Sequence, residues 1–208
     1  MILGSVLHID AIGEKDLAVI PRKDLFDGEY WSGMRKMKED VLLKLLSHYM
    51  IFRDRTEELE KDESLKQIIP YFLIKKDGKY LTARRKNTGG ETRLHGGRLI
   101  GFGGHLRAED IKGTMAEWLK REFDEEIETK TILGISFLGI VNHDGEEDRG
   151  VGKVHMGLVF EIEVEGKTII KEIDKFEKEE FLPLKSLEKK KSEMEQWSKL
   201  VLEFLIDN

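Results

Sequence analysis

Residues 101–128, GFGGHLRAEDIKGTMAEWLKREFDEEIE, constrain this chain more than any other stretch, because they lead from a glycine loop into a helix with its acids on one side. Thr114 followed by Glu117 is a capping box: each side chain can satisfy a backbone N–H that a helix start leaves without an intrahelical partner. The helix is therefore predicted to begin near Met115. At about 100° per residue, Met115, Leu119, Phe123 and Ile127 form one apolar stripe, and Glu122, Glu125 and Glu126 lie along the neighbouring arc. Asp124 and Glu128 point away, toward solvent. Like charges three or four residues apart repel by about 0.2–0.5 kcal/mol per pair, so a helix that had only to be soluble would place lysines among these acids. A hard divalent cation is the natural partner, since Mg²⁺ and Mn²⁺ favour carboxylate and carbonyl oxygens. Arg121, one turn before Glu125, can orient that carboxylate, and Gly103-Gly104 lets the backbone come close enough to offer a carbonyl.

The flanking sequence reads as mixed α and β. IIPYFLIKKDGKYLTARRK is two strand-like runs joined by Asp77-Gly78, which predicts a β-hairpin over residues 68–85. TILGISFLGIV and VGKVHMGLVFEIEVEG read as strands on either side of the loop NHDGEEDRG. In the second, Leu158, Phe160, Ile162 and Val164 alternate with Val159, Glu161, Glu163 and Glu165, predicting one buried and one wet face. His155 falls on the Val159/Glu161 face. The tail SLEKKKSEMEQWSKLVLEFLI closes the chain as a helix through Met194, Trp197, Val201, Phe204 and Leu205. Upstream, short extended segments turn at Pro21 and Asp27-Gly28. Met34, Met37, Val41, Leu45 and Tyr49 predict an amphipathic helix from Met34 to about Phe52, followed by a charged connector.

Composition narrows the chemistry. The 208 residues include no cysteine, which excludes disulfides, thiolate nucleophiles and the usual structural zinc sites, so a metal must sit on oxygen or imidazole. His95, His105 and His143 lack zinc-ligand spacing. A net charge of −6 argues against nonspecific nucleic-acid binding, and no apolar run reaches the roughly 18 residues of a membrane span. The opening MILGSVLHIDAIGEKD has neither a basic start nor a small-residue cleavage site, so a cytoplasmic location is expected. HGGRLIGFGG lacks the Gly-Lys-Ser/Thr ending of a P-loop, and DGEEDRG lacks EF-hand spacing. Arg84 and Arg85 end the hairpin and Arg93 lies in the approach to the glycine loop. With His155 they are candidates for holding an anionic ligand, although a charged strand end is also a common surface feature.

Arg121-Glu122-Phe123-Asp124-Glu125-Glu126 resembles the R-E-U-x-E-E core of the Nudix hydrolase signature, with Gly103-Gly104 matching the loop before it. The departures are specific. Asp110 stands at the expected Glu, the spacing from it to Arg121 is three residues longer than the family's, Phe123 is aromatic, and Glu128-Thr129 replaces the closing Gly and aliphatic residue. The resemblance implies an αβα sandwich around a mixed β-sheet over residues 63–208, with residues 1–62 as an N-terminal extension. It implies a metal-dependent hydrolase that cleaves a diphosphate linkage in a nucleoside diphosphate derivative or related phosphoanhydride. Glu122, Glu125 and Glu126 would bind Mg²⁺ or Mn²⁺ with a carbonyl of Gly103 or Gly104, and Glu122, Glu125 and Arg121 would serve catalysis. Glu122 is one candidate base; Glu146, Glu147 and Glu177 are others. The implied partner is a small phosphorylated molecule, with no membrane or nucleic acid, and homodimerisation is left open. A Nudix-fold nucleotide-binding or regulatory protein without turnover is the alternative.

Overall fold

The computed structural model describes residue 13 and residues 16–25, 28–86, 96–145 and 151–208, with Val151 described by its backbone alone. The hairpin is the organising element. Strands β4 (Leu65–Lys76) and β5 (Lys79–Arg85) pair antiparallel across Asp77 and Gly78, whose φ values of 50° and 70° are the left-handed pair that a type I′ turn requires. Strand β8 (His155–Ile170) runs parallel to β4, from Gln67↔His155 to Lys75↔Glu163, and antiparallel to β7 (Ile127–His143). Among the described residues the sheet has nine strands, and its main path is completed by three N-terminal strands. Strand β1 (Leu17–Pro21) lies on β4, β3 (Ile51–Arg53) lies on β1, and β2 (Ser32–Lys36) lies on β7. Strands β6 (Arg98–Leu99) and β9 (Phe176–Leu182) extend from β5.

Helices cover both faces, giving the αβα layering around a mixed sheet. On one face Ile68, Phe72, Phe160 and Ile162 pack with Leu42 and Leu46 of α1 (Glu39–Tyr49) and with Trp118, Leu119 and Phe123 of α2 (Met115–Glu126). On the other, Tyr71, Leu73 and Val159 pack with Leu187 of α4 (Leu184–Glu188) and Val201 and Leu202 of α5 (Gln196–Asp207). Burying each such side chain contributes roughly 1.5–3 kcal/mol before entropy is counted. No helix among the described residues is long and apolar enough to cross a membrane.

Several expected elements take a different form. The predicted helix from Met34 to Phe52 is a strand, a shorter helix and a strand. Met34 pairs with Val141, because the edge of β7 offers backbone partners there, and α1 buries Leu42 and Leu46 while Val41 and Tyr49 are 45% and 41% exposed. The wet face predicted for β8 is wet only at Glu163 and Glu165. Val159 is buried beneath α5, and Glu161 accepts hydrogen bonds from Lys75 Nζ at 2.9 Å and Tyr80 Oη at 2.6 Å. The first four residues expected in β8 form the short helix α3 (Val151–Val154), and the closing helix is divided, with a 3₁₀ turn at Lys191–Glu193 between α4 and α5.

A buried charge network ties the N-terminal strands to the sheet. Asp144 Oδ1 accepts from Arg22 Nη1 at 2.6 Å and Lys66 Nζ at 2.8 Å; its Oδ2 accepts from Trp31 N at 3.1 Å and Asn142 Nδ2 at 2.7 Å. Lys66 Nζ also donates to Gly152 O at 2.7 Å, and Arg22 Nε to Glu63 O at 2.6 Å. Burial alone would raise the Asp144 carboxyl, but the donations from Lys66, Arg22 and Asn142 outweigh it and hold it at about 2.

Candidate active site

The glycine loop is bonded to the sheet before it reaches the helix. Phe72 N donates to Phe102 O at 2.7 Å and Phe102 N to Phe72 O at 3.1 Å. At Gly103 φ is 146°, and a Cβ there would stand 1.9 Å from Pro70 O; one on Gly104 would stand 2.6 Å from Glu122 Oε2. Gly103 therefore excludes a side chain, and at Gly104 the loop backbone lies against the Glu122 carboxylate. The helix starts as expected: Glu117 Oε2 accepts from Thr114 N at 2.6 Å and from Thr114 Oγ1 at 2.8 Å. Its stripe of Met115, Leu119, Phe123 and Ile127 is buried, and Asp124 and Glu128 are exposed.

Arg121 is the hub of the site. Its Nε and Nη2 grip Asp110 at 2.7 Å each, its Nη1 reaches Glu122 at 2.8 Å and Glu125 at 3.1 Å, and its Nη2 donates to His105 O at 3.0 Å. The expected Arg121–Glu125 pair is present, but the two-pronged grip on Asp110 is the geometry that fixes the guanidinium. The 3₁₀ turn Ala108–Asp110 and the bend after it absorb the long spacing between these partners, so an acid still meets Arg121.

A cavity of about 420 Å³ opens over this surface, lined by Gly103, Gly104, Glu122, Glu125 and Glu126 on one side. Glu122 and Glu126 are buried, while the Glu125 side chain is 52% exposed. Burial raises the Glu122 carboxyl above its ordinary range, with Arg121 pulling it partly back. Glu126 is raised well above the carboxylate range, first by burial and then by Glu172, whose carboxylate stands against it. Lys171 N donates to Glu126 O at 2.9 Å, and this bond brings Glu172 to the site from the turn between β8 and β9. Glu172 pairs with Lys175, yet Glu126 Oε2 and Glu172 Oε2 are both buried with no hydrogen-bond donor among the described residues. An anionic oxygen left so is costly unless a cation completes it, and the donor set is the oxygen-only type suited to Mg²⁺ or Mn²⁺. Among the described residues no three carboxylate or imidazole groups already stand around one point as metal ligands would.

The remaining candidates separate. Arg85 lines the cavity, paired with Glu195 at 2.9 Å and stacked 5.1 Å from the Phe176 ring centroid. Arg84 pairs instead with Glu193 at 2.5 Å and does not line the cavity. His155 lines it, with its Nε2 3.2 Å from that of His105. Arg93, Glu146 and Glu147 lie outside the described residues, and Glu177 is exposed away from the cavity. Tyr71, Phe176 and Trp197 form an aromatic wall. Sequence reading missed Glu172, because KEID carries no motif and it reaches α2 through the pairing of Ile127 with Ile170 and the Lys171–Glu126 backbone bond.

No family model matches the sequence. Protein YmaB of Bacillus subtilis is 30% identical over 206 residues, covering 91% of this chain and 96% of YmaB. The crystal structure of Tm1382, provisionally assigned as a Nudix hydrolase, superposes with a TM-score of 0.78 at 31% identity, covering 93% of this chain and 99% of that one. The chain belongs to the Nudix hydrolases. DR0079 from Deinococcus radiodurans shares the fold, with a TM-score of 0.54 at 14% identity over 84% of this chain and 97% of that one. The match to Tm1382 is too long to fit within residues 63–208, so the likeness of this Nudix chain takes in N-terminal residues as well.

Proposed function

We propose that the chain hydrolyses a diphosphate linkage in a nucleoside diphosphate derivative or related phosphoanhydride, using Mg²⁺ or Mn²⁺. The observation that carries this reading is the pair of buried, donorless oxygens on Glu126 and Glu172, facing one cavity beside Glu122 and the closely approaching Gly103-Gly104 backbone. Glu122, Glu125 and Glu126 would hold the cation with a carbonyl of Gly103 or Gly104, and Glu172 completes the oxygen donors. When bound, the cation supplies screening of phosphate charge and a lowered pKa for an attacking water. Glu122, with its proton affinity raised by burial, would be the carboxylate that accepts a proton from the attacking water. Arg121 acts by position, keeping Glu122 and Glu125 turned toward the cavity from its anchor on Asp110. Arg85 and Lys175 face the substrate's phosphates, and the wall of Tyr71, Phe176 and Trp197 suits a nucleobase.

The test is a panel of nucleoside triphosphates, nucleotide sugars and dinucleoside polyphosphates incubated with Mg²⁺ or Mn²⁺. Product is scored as phosphate with and without added pyrophosphatase. At least one compound should turn over, and turnover should stop with chelator. Tight binding without hydrolysis across the panel would replace this reading with that of a regulatory binding protein.

A further inference from the structure

The cavity has a second wall of opposite character, beyond the acids of α2. His105 follows the glycine loop and His155 opens β8; their ring centroids lie 5.2 Å apart and their Nε2 atoms 3.2 Å apart. Arg55, from the connector after β3, and Arg107, from the segment after the glycine loop, line the cavity with them. Two Nε2 atoms in contact accommodate one shared proton, and a cation placed there would meet the guanidinium charges of Arg55 and Arg107. An oxyanion meets the reverse: arginine charge brought from two segments beside the two imidazoles.

Arg55 is the movable member. Its side chain is 58% exposed and its partner is Glu60, at 3.1 Å, which also lines the cavity. Exposed pairs of this kind are weak, so Arg55 can turn from Glu60 to a ligand at little cost. We propose that Arg55, His105 and His155 form an oxyanion subsite that holds a phosphate group of the substrate clear of the acid helix. The inference rests on the reading of this cavity as a phosphoanhydride site. Its consequence is that part of the substrate contact comes from residues 54–60, far in sequence from the Arg121–Glu126 motif.

The experiment uses the full chain, free of metal and in excess chelator, titrated with inorganic pyrophosphate at one fixed pH. Without a cation the acids of α2 repel the anion, and the Arg55 variants with the two imidazoles separate binding at this wall from binding at Arg85 and Lys175. Calorimetry and the imidazole resonances of His105 and His155 give the two readouts. The wild type should saturate with both histidines shifted. Arg55→Ala should weaken binding about tenfold or more without a change in melting temperature, Arg55→Lys should recover part of the loss, and Glu60→Gln should tighten binding a few-fold by removing the competitor. Undisturbed imidazoles, or an Arg55→Ala or Glu60→Gln variant that binds as the wild type does, would each overturn the proposal. Hydrolysis plays no part in this assay. Pyrophosphate binding in a chain that then hydrolyses nothing would leave the subsite standing and remove the proposed reaction.

Discussion

Two groups of buried carboxylates share this molecule, and they are treated in opposite ways. Asp144 receives a donor from Arg22, Lys66, Asn142 and the Trp31 backbone, and its carboxyl sits far below the ordinary range. Glu126 and Glu172 face each other with an oxygen apiece left without a donor, and Glu126 is pushed up. A fully satisfied buried charge is a fastening; a buried charge left wanting is a place kept for something else. The contrast is sharper than burial alone would make it, since the Asp144 and Glu126 side chains are both buried.

Substitution in each group should give opposite outcomes. The largest effect is expected for Glu126→Gln: kcat should fall about 10³-fold or more with substrate affinity within a few-fold, while the metal-free protein melts no lower than the wild type, because an unfavourable buried charge has been removed. Lower melting with kcat intact would make Glu126 a fastening like Asp144. Asp144→Ala should leave Lys66 and Arg22 uncompensated and cost about 3–5 kcal/mol in denaturant unfolding, with kcat retained wherever the variant is folded. Arg121→Ala falls between the groups. Turnover should drop about 10²-fold and stability by about 1–3 kcal/mol, so a loss of stability without loss of turnover would move Arg121 to the structural side.

The smallest effect is in pH. The Asp144 carboxyl is depressed on folding, so its contribution is full above its ordinary 3.8 and is lost as pH falls toward about 2. Glu122 and Glu126 are raised, so in metal-free protein their burden is absent below the ordinary 4.5 and grows as pH rises above it. Unfolding free energy measured against pH should therefore have a shallower acid limb in Asp144→Asn and a shallower decline above 4.5 in Glu126→Gln, where Glu122 still contributes. Identical profiles for the two variants would dissolve the comparison.

What the sequence discloses follows the range of the interactions. Helix α2, its cap and its apolar stripe depend on neighbours within four residues, and the β4–β5 hairpin on two, so all were legible. The layered fold followed from a short motif by resemblance. Glu172 and the Asp144 network were not legible, because their partners lie tens of residues away: Arg22 meets Asp144 only after β2 has joined β7 and α3 has turned beneath Lys66. The stripe that suggested a helix from Met34 failed for a related reason. Methionine suits either period, and the free edge of β7 decided for a strand.

Helix α2 passes into β7 without an intervening residue, Glu126 ending one and Ile127 opening the other. This junction makes the chain unequally tolerant of length changes on the two sides of the acids. Between Asp110 and Met115 added residues can be taken up as a bend while the Asp110–Arg121 grip holds the helix in place, as the three-residue excess there already shows. After Glu126 a single inserted residue would either reverse which side chains of β7 face each helical layer or turn the acids by about 100° from the cavity. Variation in this lineage is expected to accumulate as insertions ahead of the helix, with the step from acid to strand kept at constant length.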